Sequence, residues 1–247
     1  TNSGLSGKTP SEKIAKDLVR DVLLGTEETE SDVIITTFSS HVARINAIIQ
    51  AAEEMDRTPV LLGRSMERYL SIAQKMGYIK FPENLEIYGN RNSVDKFLKR
   101  ITQEGKKNYL PIVTGHQGEP DAILTRIANG ETQFRIANVE TQFRIERGEK
   151  VIFSANTIPS PMTMANRHAL EIKLKMAGAR IYENVHVSGH ASKEDHWELL
   201  RLVNPEQVIP SHGNMVMHSH YVELAEDAGY HFGDTVHIMR NGEEMVV

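Results

Sequence analysis

Val33-Ile34-Ile35-Thr36-Thr37-Phe38-Ser39-Ser40-His41 opens as an unbroken β-branched run and closes in small polar residues. A short apolar run without alternation reads as a strand covered on both faces, and the polar tail reads as the turn at its carboxyl end. The pattern repeats downstream: strands are expected at 59–62, 86–88, 109–113, 151–155 and 179–183. Helical patterns fall between them at about 41–55, 65–76, 93–104, from 119, and 163–177. Such alternation predicts an α/β fold with a mostly parallel sheet flanked by helices. Upstream, Thr9-Pro10-Ser11-Glu12 has the form of a capping box with proline at the first helical position. Ile14, Leu18 and Val22 would form the buried stripe of that helix, closed by Gly25, with an acidic linker over 26–32. After His186, helices are expected at 192–202 and 214–228, and strands at 207–209, 235–239 and 243–247.

The composition of the 247 residues, 40% hydrophobic and 25% charged, is that of an ordinary globular protein. No run of 18 apolar residues occurs, so no membrane span is expected. Absence of cysteine excludes disulfides, thiolate metal sites and cysteine nucleophiles, and it fits a reducing, cytoplasmic setting. The chain opens on Thr1 rather than Met, which reads as a processed, trimmed or incomplete polypeptide. A net charge of −5 argues against indiscriminate binding of nucleic acid. Yet the stretch from Arg64 to Lys107 holds 10 of the 28 basic and only 5 of the 33 acidic residues, enough to steer an anion locally. Residues 128–136 and 137–145 are a nine-residue direct repeat with one difference, Gly130 against Val139. Two copies do not make a repeat fold, so a surface excursion between a helix and a strand is expected.

In open parallel sheets ligands bind beyond the carboxyl ends of the strands. Those ends carry Ser39, Ser40 and His41, then Arg64 and Ser65, then Thr114-Gly115-His116-Gln117-Gly118-Glu119, and then Ser154. The last two are His186-Val187-Ser188-Gly189-His190 and Ser211-His212-Gly213. Small donors and helix N-termini at such turns suit phosphates. Eight of the 11 histidines lie in 186–247, a quarter of the chain. His186, His190 and His212 are therefore expected to converge as metal ligand, acid/base or anion contact. His218 and His220 fall on a helix at i, i+2, where side chains do not face each other, and are read as ordinary helix residues. Arg44 and Arg64 follow strand ends and are candidates to hold phosphates, and Glu119 would begin a helix.

These turns resemble ribonuclease J, in the β-CASP branch of the metallo-β-lactamase superfamily, and look closest to its archaeal members. The most specific match is His186-Val-Ser-Gly-His190 with the helix start Ser192-Lys193-Glu194-Asp195, followed by Ile209-Pro210-Ser211-His212-Gly213. Thr36 to Ser40, Gly63 to Met66 and Thr114 to Pro120 match the β-CASP insert. Thr1-Asn2-Ser3 resembles the residues just after the acidic residue of the first β-CASP motif. The resemblance implies residues 1–15 as the end of an N-terminal metallo-β-lactamase segment, 16–183 as the β-CASP domain, and 184–247 as the C-terminal part of the metallo-β-lactamase αββα domain. It implies a ribonuclease in which two zinc ions activate water against a phosphodiester of single-stranded RNA. His212 would ligate one zinc, and His190 would stabilise or protonate the transition state. His186, Val187, Ser188, Gly189 and His190 would grip a nucleotide phosphate. Ser39, Ser40 and His41 would hold the 5′ end, giving stepwise 5′-to-3′ removal from 5′-monophosphorylated RNA, with endonuclease activity as a second mode. Arg64, Ser65, Thr114, Gly115, His116, Gln117, Glu119 and Ser154 join the phosphate-binding set. Family members commonly form dimers, so a homodimer is an assembly the resemblance allows.

One departure is large: the superfamily motif H-x-H-x-D-H is absent from the sequence. A single matched ligand cannot hold zinc, which needs three or four. The expectation is thus a part of a nuclease, inactive alone, with an exposed, aggregation-prone half-core. The competing readings are a metal-free RNA-binding β-CASP module and a β-CASP endonuclease of the polyadenylation type.

Overall fold

Every residue of β1 (Val33–Thr36) is buried, as a strand with helices on both faces requires. In the computed structural model, which describes residues 2–25, 32–137 and 139–246, β1 lies inside a six-stranded sheet of order β3-β2-β4-β1-β7-β8, parallel at every pairing. The other strands are β2 (Thr58–Leu62), β3 (Glu86–Tyr88), β4 (Tyr109–Val113), β7 (Lys150–Phe153) and β8 (Arg180–Tyr182). The connecting helices are α1 (Glu12–Leu24), α2 (Val42–Glu54), α3 (Arg64–Lys75), α4 (Arg91–Glu104), α5 (Ile123–Ala128) and α6 (Pro161–Met176). Period-2 geometry splits the strand side chains between two cores. Val33, Ile35, Leu61, Ile112 and Ile152 pack with Val19, Ile45, Ile48 and Leu70 from α1, α2 and α3. Ile34, Val60, Leu62, Val113, Val151 and Phe153 pack on the other face with Phe97, Leu124 and Leu170 from α4, α5 and α6. From β1 the chain first builds outward through β2 and β3, returns to β4, then crosses to β7 on the other side of β1. That reversal places the topological switch point at the carboxyl ends of β1 and its neighbours.

This unit runs from Glu12 to Val187; the residues before Glu12 join those after Val187 in a second unit. The second unit contains α7 (Lys193–Val203) and α8 (Met215–Asp227), with Leu200, Val208, Val222, Leu224, Ala225 and Val236 as its core. Asp195 reaches back to the Ser192 N–H at 3.0 Å, which caps α7, and the Asn214 side chain accepts from Met217 N–H at 3.0 Å to cap α8. Leu199, Leu202, Val203, Met215, Val216 and Phe232 remain exposed on this unit.

Five expectations change. Helix α1 begins at Glu12, not at Pro10, because the Thr9 hydroxyl and N–H are taken by His190 O and Asp195 in the second unit. Its buried stripe is Ala15, Val19 and Leu23, and Ile14 is exposed. The strands expected at 207–209 and 235–239 reduce to isolated bridges of Val208 and Phe232 with Val236, and no strand forms at 243–246 among the described residues. A β-branched run becomes a strand only where a partner completes its ladder. The acidic linker lies outside the described residues except Asp32.

The duplication is only half an excursion. Its copies pair as an antiparallel hairpin, β5 (Gln133–Ile136) with β6 (Val139–Gln142), turning at Ala137 with φ 48°. Phe143 and Ile145 of the second copy are buried in the α4–α6 core, whereas Phe134 of the first is only partly buried. Identical side chains thus do different work. Phe143→Ala is expected to cost about 3–5 kcal/mol in urea denaturation and Phe134→Ala about 1 kcal/mol; equal losses would contradict this assignment.

Candidate nucleic-acid interface

The strand ends define the site in the sheet unit. A cleft of about 750 Å³ opens beyond β1, β2, β3 and β4, bounded by Ser39, Gly63, Gly89 and the 114–119 turn. Its wall carries the exposed Arg64, Arg68 and Arg91, with Tyr69 beside them, and the buried Arg126, paired to Asp95 at 3.2 Å. Glu119 and Asp121 are the acidic members. Gly63 caps α3 at φ 136°, and a Cβ there would stand 2.7 Å from Thr114 Cγ2, so the turn closes only around glycine. Ser65, in the first turn of α3, shares a 2.8 Å hydrogen bond with Ser39, which ties two strand ends together. The result is a helix N-terminus with hydroxyls and guanidinium groups around it, a combination suited to phosphate.

His116 is, with Arg126, a buried polar group of this cleft. It is 5% exposed, its ring meets Phe38 edge-on at 4.0 Å, and its Nε2 is buried without a hydrogen-bond partner. Burial, with help from the nearby Arg167 and His186, pushes its pKa down to about 4. The turn is held by Gly118, whose backbone packs against Asn166 of α6, and by Arg167, which donates to His116 O at 2.8 Å.

A second group of predicted residues gathers at the end of β7. Ser154 is fully buried, and its Oγ donates to Val185 O at 2.8 Å. Arg44, expected to hold phosphate, has no solvent access. Its guanidinium forks onto Glu12 at 3.0 and 3.2 Å and donates through Nη1 to Ser154 Oγ at 3.0 Å. Nη1 also lies 3.3 Å from His186 Nδ1. His41 approaches Glu12 at 3.5 Å and the His186 ring at 6.3 Å between centroids. Burial, then the charge of Arg44, lowers the His186 pKa to about 4.

The second unit holds Ser188, Gly189, His190 and His212. Ser188 Oγ accepts from Asn2 at 2.8 Å and from His190 N–H at 3.1 Å, so the loop is braced from the start of the chain. The exposed rings of His190 and His212 stack 5.6 Å apart at 20°. Among the described residues no group of three or more His, Asp or Glu side chains fits a metal ion.

Several predicted residues turn inward or sideways. Gln117 spans Asn156 O and Ile158 N–H, both at 2.9 Å, and so braces a loop. Glu119 accepts from Gln117 N–H at 3.0 Å within its own turn, and α5 begins only at Ile123. Thr114 lines the cleft with Gly115; Ser40 is exposed, and Val187 is buried. Sequence reasoning missed Arg68 and Arg91. The i, i+4 spacing of Arg64 and Arg68 on α3 was the available signal, and Arg91 directly follows the Gly89-Asn90 strand end.

Comparison with known proteins identifies the family. Residues 30–170 match the family described as the ribonuclease J β-CASP domain, and residues 177–239 match a Zn-dependent metallo-hydrolase RNA specificity domain. The chain is 50% identical over 237 residues to a ribonuclease J of Methanocaldococcus jannaschii, covering 96% of this chain and 51% of that protein. With a ribonuclease J of Pyrococcus abyssi the identity is 47% over 235 residues, 95% of this chain and 49% of the relative. A ribonuclease J from Synechocystis is 34% identical across 98% of this chain and 35% of its own length. The chain therefore spans about half the length of the archaeal relatives it matches.

His116 and His186 bind protons less readily folded than unfolded, so stability is full above about pH 6.5 and is lost as pH falls toward 4. The more deeply buried His116 contributes about 2–3 kcal/mol of that loss. Urea midpoints of wild type and His116→Gln from pH 7 to 4.5 check this. The variant should lose less stability over that range; parallel curves would contradict it.

Proposed function

This chain belongs to the ribonuclease J β-CASP family, and from that premise we propose that it supplies the RNA-gripping part of a ribonuclease J-type nuclease. The sheet unit corresponds to the β-CASP insert, and the segments on either side of it to parts of a metallo-β-lactamase domain. The observation that carries the reading is the strand-end cleft, where Arg64, Arg68 and Arg91 surround the N-terminus of α3 next to a buried, neutral histidine. Contacts of this kind select phosphates and a single strand's backbone, not base identity. The substrate is therefore single-stranded RNA without strong sequence preference. In the complete nuclease the 5′ monophosphate is held at the strand ends, and nucleotides are released 5′ to 3′.

Zinc dependence is what the metallo-hydrolase family match suggests for such an enzyme. The described residues do not fit a zinc site by themselves, since no three His, Asp or Glu side chains gather among them as zinc requires. What this chain's residues do is bind and orient. Arg64 and Arg68 neutralise phosphate charge, and the Ser39–Ser65 pair offers hydroxyls between them. Partial desolvation, and to a lesser extent the neighbouring His212, shift the His190 pKa below the ordinary imidazole value.

Fluorescence anisotropy with a labelled single-stranded RNA, with and without a 5′ phosphate, tests the reading. Binding should favour the phosphorylated strand and weaken steeply with salt. Arg64→Ala with Arg68→Ala should weaken binding for every sequence and lower the salt slope by about 1.4, roughly 0.7 per lost phosphate contact on a single strand. Equal binding of single-stranded and duplex RNA, or a double variant with wild-type affinity, would overturn it.

A further inference from the structure

A helix lying on a sheet needs one apolar stripe, the one it buries. In α3 that stripe is Met66, Leu70 and Ala73. The helix carries a second one. Tyr69, Ile72 and Met76, spaced i, i+3, i+7, are 47%, 48% and 63% exposed, with Met76 as the C-cap. At 3.6 residues per turn they share one face, about 90° round from the buried stripe. About 90° further on, Arg64, Arg68 and Lys75 form an exposed basic stripe, and among the described residues none of the three has an ion-pair partner. Glu67, the one acidic residue of α3, turns the other way, its carboxylate against Gly89 after β3. We propose that this face of α3 is a track for single-stranded RNA running out of the strand-end cleft, with phosphates on the basic stripe and bases on the apolar one. The proposal rests on the reading that the cleft binds RNA by its phosphates.

Continuity with the cleft argues for RNA as the occupant. Arg64, Arg68 and Tyr69 line the cleft at the start of the helix, so each stripe begins inside it. Ser65, one turn before Tyr69 on the same side of α3, is bonded to Ser39 at the end of β1. From Arg64 to Met76 the backbone rises about 18 Å, room for about five nucleotides at the 3.4 Å spacing of a stacked strand. Tyr78, exposed just past the helix, adds a second aromatic at the far end. Stacking on such faces tolerates every base, and only unpaired bases can reach them. A duplex keeps its bases inside and offers phosphates alone. The track therefore separates single strands from duplexes without reading sequence. A second copy of this chain is the poorer occupant: a two-fold contact through α3 would bring no carboxylate from that helix to the three cations, since Glu67 faces away.

Methyl NMR spectra of the chain, titrated with a 5′-monophosphorylated oligoadenylate of about eight nucleotides, read the track directly. The Ile72 and Met76 methyl signals should shift in the ring currents of stacked bases. The dinucleotide pApA, which fills only the cleft, and a blunt RNA duplex should leave them in place. Ile72→Ser with Met76→Ser, both exposed positions, assigns the signals; it should weaken binding of the longer strand several-fold and leave pApA unaffected. Tyr69→Ala should cost the longer strand about tenfold, the value of one stacked base, and Tyr69→Phe should bind as wild type does. Methyl signals unmoved by a longer strand that binds would overturn the proposal. So would an Ile72 and Met76 double variant with wild-type affinity for that strand. If that double variant instead changes the sedimentation of the chain and not its RNA affinity, the stripe belongs to a contact between copies and the track is refuted. Arg91 lines the cleft but lies outside α3. If Arg91→Ala binds pApA as wild type does, the underlying reading of the cleft fails, whatever the methyl signals show.

Discussion

A guanidinium without solvent is tolerated only when its charge and its N–H groups are all answered, since burying an unpaired ion costs several kcal/mol. Arg44 is that group. Its partners come from α1, from the end of β7 and from the segment after β8, parts of the chain separated by up to 142 positions. To answer one cation the fold must bring these parts to the same edge of the sheet. Removing Glu12 or Ser154 would leave part of the cation unanswered, so the constraint is mutual. Hydrophobic packing on the two faces supplies the bulk of the stabilisation, but packing alone does not dictate where the strand ends sit relative to one another.

From that edge the site arises in two steps. The parallel sheet reverses direction around β1, which puts turns from several strands side by side. Glycine at 63 then lets α3 start hard against Thr114, and Gly118 lets the His116 turn lie on α6. Neither contact has room for a Cβ. The cleft is therefore a consequence of backbone approach, and its arginines sit where helix N-termini and small hydroxyls already favour anions. Charge and geometry agree there. In the second unit His190 and His212 do meet, their rings stacked 5.6 Å apart.

Much of this was legible in the sequence where local pattern and burial coincide. The unbroken runs at β1, β2 and β4 gave strands with both faces covered, and the polar residues after them gave the cleft. Legibility failed where a distant partner decides. Arg44 follows a strand end just as Arg64 does, and only the carboxylate of Glu12, 32 residues away, turns one inward while the other stays exposed. The buried stripe of α1 centres on Ala15, Val19 and Leu23, with Leu18 and Val22 at its margin, so only Ile14 of the apparent pattern turns outward. Thr9 is captured by the loop around His190, so the helix starts later than its own caps advertise. Likewise, the two copies of the duplication carry the same Phe and Ile, and nothing local says which pair enters the core. The terminal runs around Val208 and Val236 meet at a single bridge that does not extend into a ladder, which no propensity reveals.

The central claim is that this chain takes hold of RNA by its phosphates at the carboxyl ends of the sheet strands. Amide chemical-shift mapping with a short 5′-monophosphorylated single-stranded RNA tests it most directly. The account predicts saturable shifts concentrated at Ser39–His41, Arg64–Ser65 and Gly115–His116, fading as salt is raised. Shifts confined to the opposite, amino-terminal ends of the strands, or none at low salt, would contradict it.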